Sequence, residues 1–536
     1  MCWRIDALLS GRTMAITNGR GRRLYPAQPA ASSAHEATAE EEQAPEVAEA
    51  AGAGAWNRTL EIHFKLFGTD GVSLQSQELS EALRVRGRSV LPCACDVPPG
   101  AAGLRLPELS YQSPDAIALR QRIFSAAPGA SSPVPEGAAL VDEITERAKV
   151  IRRRIEDYVD AQQIPLLHIR NLMSLPYNLP ATLALYNLAV DRPDIGFLMQ
   201  HHDLYWEGPN ARNFRTPHRQ ISDLMDRIMC PSLPNARHVL INPLAAEALH
   251  ARKGLDGTVI PDGFDFDRHV PPIDELAFRG KLQVLAGDPR PVGAGDLVVA
   301  MPARVAINKA IELAIQFVAR LNRERATLQG APGGLGLNRR RFSADSSVVL
   351  LLPQGEDLQD NRQYLETLVA YARHCQVKLV YGGDIVVPDR RFRHGDPDRY
   401  PFYGTYQAVD LVCYPPEHEG FGNQAIETVW AKRPLVVLEY PVFKRFVRNH
   451  IPHYISLGDT EQLRQLSGNE FAGLHQLRDD VLGAAVKNAI ALLMDHDLEK
   501  SWADENFSEL RAFCGMDTVA AQYIRLYAEL KGITRP

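Results

Sequence analysis

The chain lacks the features of a membrane, secreted or nucleic-acid-binding protein. No uninterrupted apolar run approaches the roughly 18 residues of a membrane span, and the N-terminus has no apolar stretch of the length that a secretory signal requires. The 536 residues carry a net charge of −6, whereas nucleic-acid-binding domains are usually basic. We therefore expect a cytoplasmic protein with no integral membrane segment and no nucleic-acid partner.

Cysteine is scarce and scattered. There are seven, an odd number, spread from Cys2 to Cys514. Only Cys93 and Cys95 lie close together, and a lone C-x-C pair has no second ligand pair to complete a zinc site. We predict reduced, mostly buried thiols.

Large apolar side chains are also rare at the start of the chain. Ala, Glu and Pro dominate residues 26–55, so residues 1–56 are predicted to be a disordered tail. From Leu60 onwards, short apolar runs alternate with helical patterns, which predicts an α/β protein with parallel, doubly wound sheets. Because 536 residues exceed a single typical core, we expect two domains.

The most informative segment is Glu-Gly-Phe-Gly-Asn-Gln-Ala-Ile-Glu at residues 419–427. It follows an apolar run predicted to be a buried strand, and a helix is predicted from Asn423 to Lys432. Ligands bind at the carboxyl ends of the strands in open α/β sheets, and glycines at a helix N-terminus favour a phosphate. Glu419 should project from the loop and Glu427 from the helix. The alternative, a solvated loop acid and a capping acid, is less favoured in this context.

This segment resembles the E-x7-E signature of the retaining nucleotide-sugar glycosyltransferases of family 4, which have the GT-B fold. Residues 304–309 resemble the arginine and lysine that grip the donor diphosphate in that family. Residues 259–265 resemble its "IPNGVD" turn, and residues 68–72 its glycine-rich loop after the first strand. The match spans roughly residues 60 to 530, and the combination is specific although no single segment is.

The resemblance implies a fold and a domain organisation. The expected fold is GT-B: two Rossmann-like doubly wound parallel-sheet domains that face a central cleft, after the disordered tail. The predicted divisions are an acceptor-side domain at 57–280, a nucleotide-sugar-binding domain at 281–510 and a C-terminal helix at 511–536 that returns to the first domain.

The resemblance also implies the donor site and the chemistry. Glu419 would contact hydroxyls of the donor sugar, Glu427 the ribose, and Arg304 and Lys309 the diphosphate, although without the other motifs that pair could be a surface pair. The predicted donor-binding set is Arg304, Lys309, Glu419, Gly420, Phe421, Gly422, Asn423 and Glu427. The predicted catalytic set is Glu419, Arg304, Lys309 and His202. Transfer would retain the anomeric configuration and need no metal and no cofactor besides the nucleotide-sugar substrate.

The acceptor should be bound by the first domain. The predicted set is Gly68, Asp70, Gly71, His202, Asp203, Arg212 and Arg215. His202-Asp203 resembles the family's "H-D" turn, but a lone histidine is more often structural, and either His201 or His202 could face the cleft. The arginines lie either on a solvated loop or against an anionic acceptor. Segments 69–75, 170–185 and 201–208 resemble the branch that includes mannosylglucosylglycerate synthase, whose acceptor carries a carboxylate.

The sequence departs from the family pattern at three positions. Ala310 and Lys432 stand where the family usually has glycine, and Asp262 stands where it has asparagine. Lys432 should adopt a left-handed cap at some energetic cost. Residues 326–346, rich in glycine and arginine, are predicted to be an exposed insertion, and the triple arginines at 152–154 and 339–341 to be solvated.

The predicted activity is transfer of a hexose from a UDP- or GDP-linked sugar to a small polar acceptor such as a glycosylglycerate. Two alternatives stay open. One is a disaccharide phosphorylase on the same scaffold, and the other is a non-catalytic nucleotide-sugar-binding relative.

Overall fold

The computed structural model describes residues 55–68, 70–124, 134–208, 210–354, 361–389, 392, 396, 398–467 and 470–534. The predicted tail, residues 1–56, falls almost wholly outside this part. Its last two residues do not: they begin the 3-10 turn Ala55–Asn57, and Trp56 packs against the core of the first domain.

The first domain is built on a parallel sheet. Its strands are β1 (Arg58–Ile62), β2 (Ser89–Ala94), β3 (Leu104–Arg105), β4 (Leu166–Arg170), β5 (Gly196–His201), β6 (Ala236–Leu240) and β7 (Thr258–Val259). They lie in the order β3-β2-β1-β4-β5-β6-β7, which is the Rossmann order. In register, Leu60 of β1 lies opposite Leu91 and Leu167.

Helices cover both faces of this sheet. They are α1 (Gly71–Val85), α2 (Pro114–Ile123), α3 (Val134–Ala161), α4 (Leu179–Asp191), α5 (Asn210–Asn213), α6 (Arg219–Ile228) and α7 (Pro243–Lys253). Their beginnings follow the sequence, since Ser113, Asn178 and Asn242 each cap a helix by accepting a backbone N–H bond, as polar N-caps do.

The second domain repeats the architecture. Its sheet contains β8 (Gln283–Ala286), β9 (Leu297–Ala300), β10 (Val348–Leu352), β11 (Lys378–Tyr381), β14 (Leu411–Tyr414), β15 (Leu435–Glu439) and β16 (Ile455–Asp459). The order is β16-β15-β14-β9-β10-β11-β8, and only the edge strand β8 is antiparallel to its neighbour. Two small pairs lie apart, β12 (Val386–Val387) with β13 (Tyr400–Pro401) and β17 (Arg464–Gln465) with β18 (His475–Gln476). The central strands are continuous apolar runs because both faces of a parallel sheet are buried.

The helices of the second half complete the fold. They are α8 (Glu275–Lys281), α9 (Ile311–Arg323), α10 (Arg325–Gln329), α11 (Arg362–His374), α12 (Asn423–Trp430), α13 (Pro441–Arg445), α14 (Asp479–Met494), α15 (His496–Cys514) and α16 (Met516–Ile533). Helix α16 packs on α1 and β5 of the first sheet, where Val519, Tyr523 and Leu530 are fully buried. The predicted domain limits themselves stay predictions.

The chain crosses between the domains at two adjacent places. The Phe264 N–H donates to Cys514 O, and the Met516 N–H donates to Phe264 O, both at 2.9 Å. The carboxyl edges of the two sheets then face each other, and the Asn242 side chain after β6 donates to Gly420 O at 2.7 Å. The prediction of a two-domain GT-B fold with a central cleft is therefore confirmed.

The prediction for residues 326–346 is wrong in part: Arg339 and Arg341 are exposed as predicted, but the segment also contributes side chains to the core. Leu328 and Leu335 are fully buried, and Arg340, in the middle of a predicted solvated triplet, is 8% exposed. Arg340 pairs with the buried Asp410 at 2.9 Å and also with Glu275. A buried carboxylate needs a paired charge, and the inserted segment supplies part of it.

The structure also bears on the predictions about the cysteines and about membrane-spanning segments. Each described cysteine is free, and four of them, Cys93, Cys230, Cys413 and Cys514, are buried. Among the helices of the described part, none is both long and apolar enough to cross a membrane.

Candidate active site

The 419–427 segment forms a loop and a helix N-terminus at the carboxyl end of β14. Gly422, directly before α12, has φ of +99°, and a Cβ there would overlap the Tyr440 hydroxyl. That hydroxyl donates to Phe421 O at 2.8 Å. No side chain caps α12, so its first N–H groups and its dipole are free to bind an anion.

Glu419 lies in the loop and faces residues that the sequence separates widely. Its Oε1 accepts hydrogen bonds from Lys309 Nζ, 110 residues away, and from the Tyr414 hydroxyl. Burial, followed by the charge of Glu419, raises the pKa of Tyr414 well above its ordinary value, so this phenol stays a donor. Glu419 is thereby held in one position, with Lys309 buried beside it.

Arg304 and Lys309 are placed differently. Arg304 is exposed and has no hydrogen bond or ion pair with another residue of the described part. Lys309 ends a 3-10 turn before α9, and the next residue, Ala310, has φ of +45°. The family's glycine would adopt this conformation without strain, so the alanine carries a cost. Lys309 is thus paired with the loop acid, whereas the charge of Arg304 is free of any partner in the described part.

Glu427 lies on α12 and has separate partners from Glu419. It is 7% exposed and accepts a hydrogen bond from the Tyr406 hydroxyl at 2.9 Å. Burial raises the pKa of Glu427 to about 7, although the Tyr406 bond and the charge of Arg268 oppose this shift. The two acids therefore occupy different environments, which fits roles toward different parts of one ligand.

The glycine-rich loop of the first domain reaches toward α12. Asp70 caps α1 by accepting the Ser73 N–H, and pairs with Lys65 at 3.1 Å. A Cβ on Gly71 would stand 3.5 Å from Asn423 Nδ2 of the second domain. The predicted residues Gly71 and Asn423 thus face each other across the cleft, while Asp70 already has structural partners.

The two histidines have different surroundings. His201 is fully buried, with Nε2 2.9 Å from His238 Nδ1, and burial lowers its pKa well below the ordinary value. His202 Nε2 lies 3.1 Å from Asp262 Oδ1, and the His202 carbonyl oxygen is 3.4 Å from the position of a Cβ on Gly420. This places His202, rather than His201, against the donor loop. Asp262 stands where the family has asparagine, and its carboxylate can accept a hydrogen bond from the Nε2–H of His202.

Asp203 lies where the two halves meet. It is solvent-exposed, yet the protein around it raises its pKa by desolvation; the charges of Glu419 and Asp262 add to the shift, while His202 and His418 oppose it. The predicted acceptor residue and the signature acid therefore act on each other electrostatically.

Arg212 and Arg215 follow in the segment around α5. Both are exposed, and neither has a hydrogen bond or ion pair with any residue that the structure describes. Phe214, between them, is 7% exposed and packs edge-on against Tyr177 at 5.1 Å. The backbone of this segment is thus anchored while its two charges are free.

Lys432 behaves as the sequence predicts. It has φ of +54°, and the Arg433 N–H donates to Thr428 O at 3.0 Å, closing α12 with a left-handed cap. The cost of this conformation for a residue with a side chain is partly offset by the ion pair of Lys432 with Asp504 at 2.6 Å.

Several site residues were missed by sequence reasoning. Tyr414, Tyr406 and Asn242 hold Glu419, Glu427 and Gly420. Tyr414 could have been found because it ends the strand directly before the signature loop. The pairing of Tyr406 with Glu427 depends on tertiary packing and has no local signal.

The fold and the residues at the two facing edges define a glycosyltransferase of the GT-B fold. Solved structures agree on the fold. Sucrose-phosphate synthase from Thermosynechococcus elongatus has a TM-score of 0.56 and 17% identity, over 89% of this chain and 99% of that one. A UDP-forming α,α-trehalose-phosphate synthase from Burkholderia xenovorans has a TM-score of 0.53 and 12% identity, over 90% and 100% of the two chains.

Relatives of known name indicate which branch of the glycosyltransferases the chain resembles. The chain is 28% identical over 440 residues to mannosylglucosylglycerate synthase of Petrotoga mobilis, covering 81% of this chain and 93% of the relative. It is 28% identical over 454 residues to the synthase of the same name from Thermotoga maritima, covering 83% and 94%. No protein-family model matches the sequence. The predicted resemblance to this branch is confirmed, and membership of family 4 stays a prediction.

Proposed function

We propose that the protein transfers a hexose from a UDP- or GDP-linked sugar to a hexosylglycerate, with retention of configuration and without a metal. The observation that supports this most is the arrangement at the cleft. Glu419 is held by Lys309 and Tyr414 beside the uncapped N-terminus of α12, opposite His202 of the first domain. The relatives named mannosylglucosylglycerate synthase support the class of acceptor.

The donor would lie across the second domain. Its diphosphate would meet the free cation Arg304, the ammonium of Lys309 and the N–H groups at the start of α12, because each stabilises a phosphate. The ribose hydroxyls would donate to Glu427, and the sugar hydroxyls to Glu419. These residues are the ones that the sequence predicts.

In the proposed reaction the acceptor hydroxyl oxygen forms a bond to the anomeric carbon as the bond from that carbon to the diphosphate oxygen breaks. The acceptor proton passes to a diphosphate oxygen on the same face of the sugar. Negative charge develops on the diphosphate as that bond breaks, before the proton is fully transferred, and Arg304 and Lys309 would stabilise this charge in the transition state. Fixed charges of this kind are often the largest catalytic contribution.

The acceptor would enter from the first domain. Arg212 and Arg215 have free positive charges on the acceptor side, and a glycerate carboxylate is a good partner for such guanidinium groups. Asp203 and the His202–Asp262 pair would meet hydroxyls near the reacting carbon.

A product screen tests the proposed function. The protein is incubated with UDP- and GDP-hexoses and with glucosylglycerate, glucosylglycerol or glycerate, with EDTA present in a parallel set. We expect one sugar nucleotide to give a hexosylated glucosylglycerate by mass spectrometry, with the donor's anomeric configuration by NMR, in both sets. Product formed only from inorganic phosphate and a disaccharide would instead identify a phosphorylase.

Glu427→Gln should weaken binding of the nucleoside diphosphate in a pH-dependent way. Ionised Glu427 is the stronger acceptor for ribose hydroxyls, and its pKa is about 7. Parent affinity should therefore gain as the pH rises from 6 to 8, and the variant should lose about tenfold at pH 8 but much less at pH 6. Calorimetric titration of both proteins with UDP and GDP measures this.

Glu499→Gln is the matched control. Burial likewise raises the pKa of Glu499 to about 7, but this residue lies on α15 beside Arg433. A carboxyl whose folded pKa is raised costs stability as the pH climbs from 4.5 toward 7, so both variants should gain melting temperature relative to the parent between pH 5 and pH 8. Only Glu427→Gln should change nucleotide affinity. Equal affinities in the two variants would remove Glu427 from the donor site.

A further inference from the structure

Tyr177 lies at the carboxyl edge of the first sheet and has no role in the proposed mechanism. It lies in the 3-10 turn Pro176–Asn178, between the carboxyl end of β4 and the start of α4. The residue is half-buried, and its hydroxyl has no hydrogen bond to another residue within the described ranges. A half-buried phenol with a free hydroxyl at a ligand-binding edge is suited to hydrogen bonding a polar ligand.

The loop that carries Tyr177 lies against the turn at His202, because Asn171 Oδ1 accepts a hydrogen bond from the His202 N–H at 2.8 Å and Ser174 O accepts one from the Tyr205 N–H at 3.0 Å. Burial raises the pKa of Tyr177; the charge of Asp203 adds to the shift, and the charges of Arg120 and Arg304 oppose it. Asp203 belongs to the first domain and Arg304 to the second. The two backbone contacts therefore place the turn of Tyr177 beside the acceptor-side residues, and charges from both domains act on its phenol.

The ring of Tyr177 is held from several sides. Its centroid lies 5.1 Å from Tyr111, 6.0 Å from Phe64 and 5.1 Å from Phe214, and the Arg120 guanidinium lies 5.7 Å from it. These contacts fix the position of the hydroxyl. Because the hydroxyl is held in place, little conformational entropy is lost when it donates or accepts a hydrogen bond with a ligand.

Phe214 connects this aromatic group to the free arginines. It is adjacent to Arg215 and two residues from Arg212, and its backbone N–H donates to Asn210 O at 3.0 Å. Packing of Phe214 against Tyr177 and Phe124 therefore holds the arginine segment beside the phenol. A single ligand could therefore place its sugar ring against the Tyr177 hydroxyl and its acid group against the two guanidinium groups.

We propose that the Tyr177 hydroxyl binds a hydroxyl of the acceptor's sugar ring, and that Phe214 positions Arg212 and Arg215 for the acceptor's acid group. This rests on the proposed transferase function and extends it to two aromatic residues that set acceptor specificity. The acceptor is then recognised as a sugar that carries a carboxylate, at two adjoining places on the first domain.

The test compares acceptors in the parent, Tyr177→Phe and Phe214→Leu. Tyr177→Phe should lower kcat/KM for glucosylglycerate about five- to tenfold, through KM, and should leave use of glycerate unchanged because glycerate has no sugar ring. Phe214→Leu should reduce the preference for glucosylglycerate over neutral glucosylglycerol about tenfold. Affinity for the nucleoside diphosphate should not change in either variant.

Tyr186→Phe is the matched control. Tyr186 is also half-buried, and it lies on α4, about two helical turns further from the cleft edge, packed against the same core as Tyr177. It should keep parental kinetics with every acceptor. Melting temperatures show whether a variant's effect comes from folding.

The possible results distinguish the roles of Tyr177 and Phe214 from the transferase function itself. Parental acceptor KM in Tyr177→Phe, or a change in nucleotide affinity instead, would overturn the role of Tyr177. Transfer by the parent to neutral sugars with no preference for the acid would overturn the role of Phe214 and the arginines while leaving the transferase function intact. A parent that transfers to none of these acceptors would overturn both.

Discussion

Glu419→Gln should lower kcat by about 10²- to 10³-fold while leaving nucleoside diphosphate affinity close to that of the parent. The glutamine has nearly the same size and can still accept one hydrogen bond from Lys309 or Tyr414. It loses the negative charge next to the sugar, where positive charge develops as the bond to the diphosphate breaks. Because this interaction strengthens in the transition state, kcat and kcat/KM should fall together.

Steady-state rates, nucleotide titration and circular dichroism on the folded variant measure this effect. Glu417→Gln is the matched control, since Glu417 lies in the same loop but faces His475 at 3.3 Å rather than Lys309. We expect the control to keep turnover within a few-fold of the parent. Parental turnover in Glu419→Gln would leave Glu419 as a structural loop acid and remove the basis of the catalytic assignment.

Lys309→Ala and Arg304→Ala should both weaken nucleotide binding, but only the first should destabilise the fold. Lys309 is 7% exposed and pairs with Glu419, so its loss leaves a largely buried carboxylate without its partner and costs about 3 kcal/mol. Arg304 is exposed and has no described partner, so its loss should change the free energy of unfolding by less than about 0.5 kcal/mol. Each should reduce the rise in melting temperature that UDP or GDP produces.

The double variant Lys309→Ala with Glu419→Gln sharpens the test. Removing the stranded charge should restore part of the stability lost in Lys309→Ala, giving a clearly non-additive cycle. Nucleotide affinity should stay low, because the cation is still absent. Additive stabilities would show that the contact between Lys309 and Glu419 contributes nothing in solution, and an unchanged nucleotide response in both single variants would remove these cations from the donor site.

Most of the fold could be predicted because its signals are local. The central strands β9, β10, β11, β14 and β15 are continuous apolar runs, the pattern that predicts buried parallel strands. The short strands β3, β7, β12, β13, β17 and β18, each two residues long, were not predicted. Two residues carry no periodicity, and such pairs form only where a neighbouring strand happens to pass.

The error at residues 326–346 also arises because a local pattern does not report tertiary contacts. Residues 326–346 have the composition of an exposed loop, rich in glycine and arginine. Arg340 is nevertheless buried against Asp410 and Glu275, because the start of β14 places a carboxylate inside the domain. Composition reports the average preference of a segment, whereas the burial of one arginine depends on a charge 70 residues away.

The sequence by itself determined the class of fold and the position of the signature acids, since strand periodicity, glycine placement and motif spacing are properties of short segments. The branch of transferase was indicated by the resemblance of three segments to a known branch. Tertiary structure alone decided which groups meet. It brought Lys309 to Glu419 over 110 residues, paired His202 with Asp262 over 60, and left Arg304, Arg212 and Arg215 unpaired among the described residues. These contacts depend on how two sheets face each other, and that arrangement follows from the burial of the whole apolar surface of both domains rather than from any local pattern.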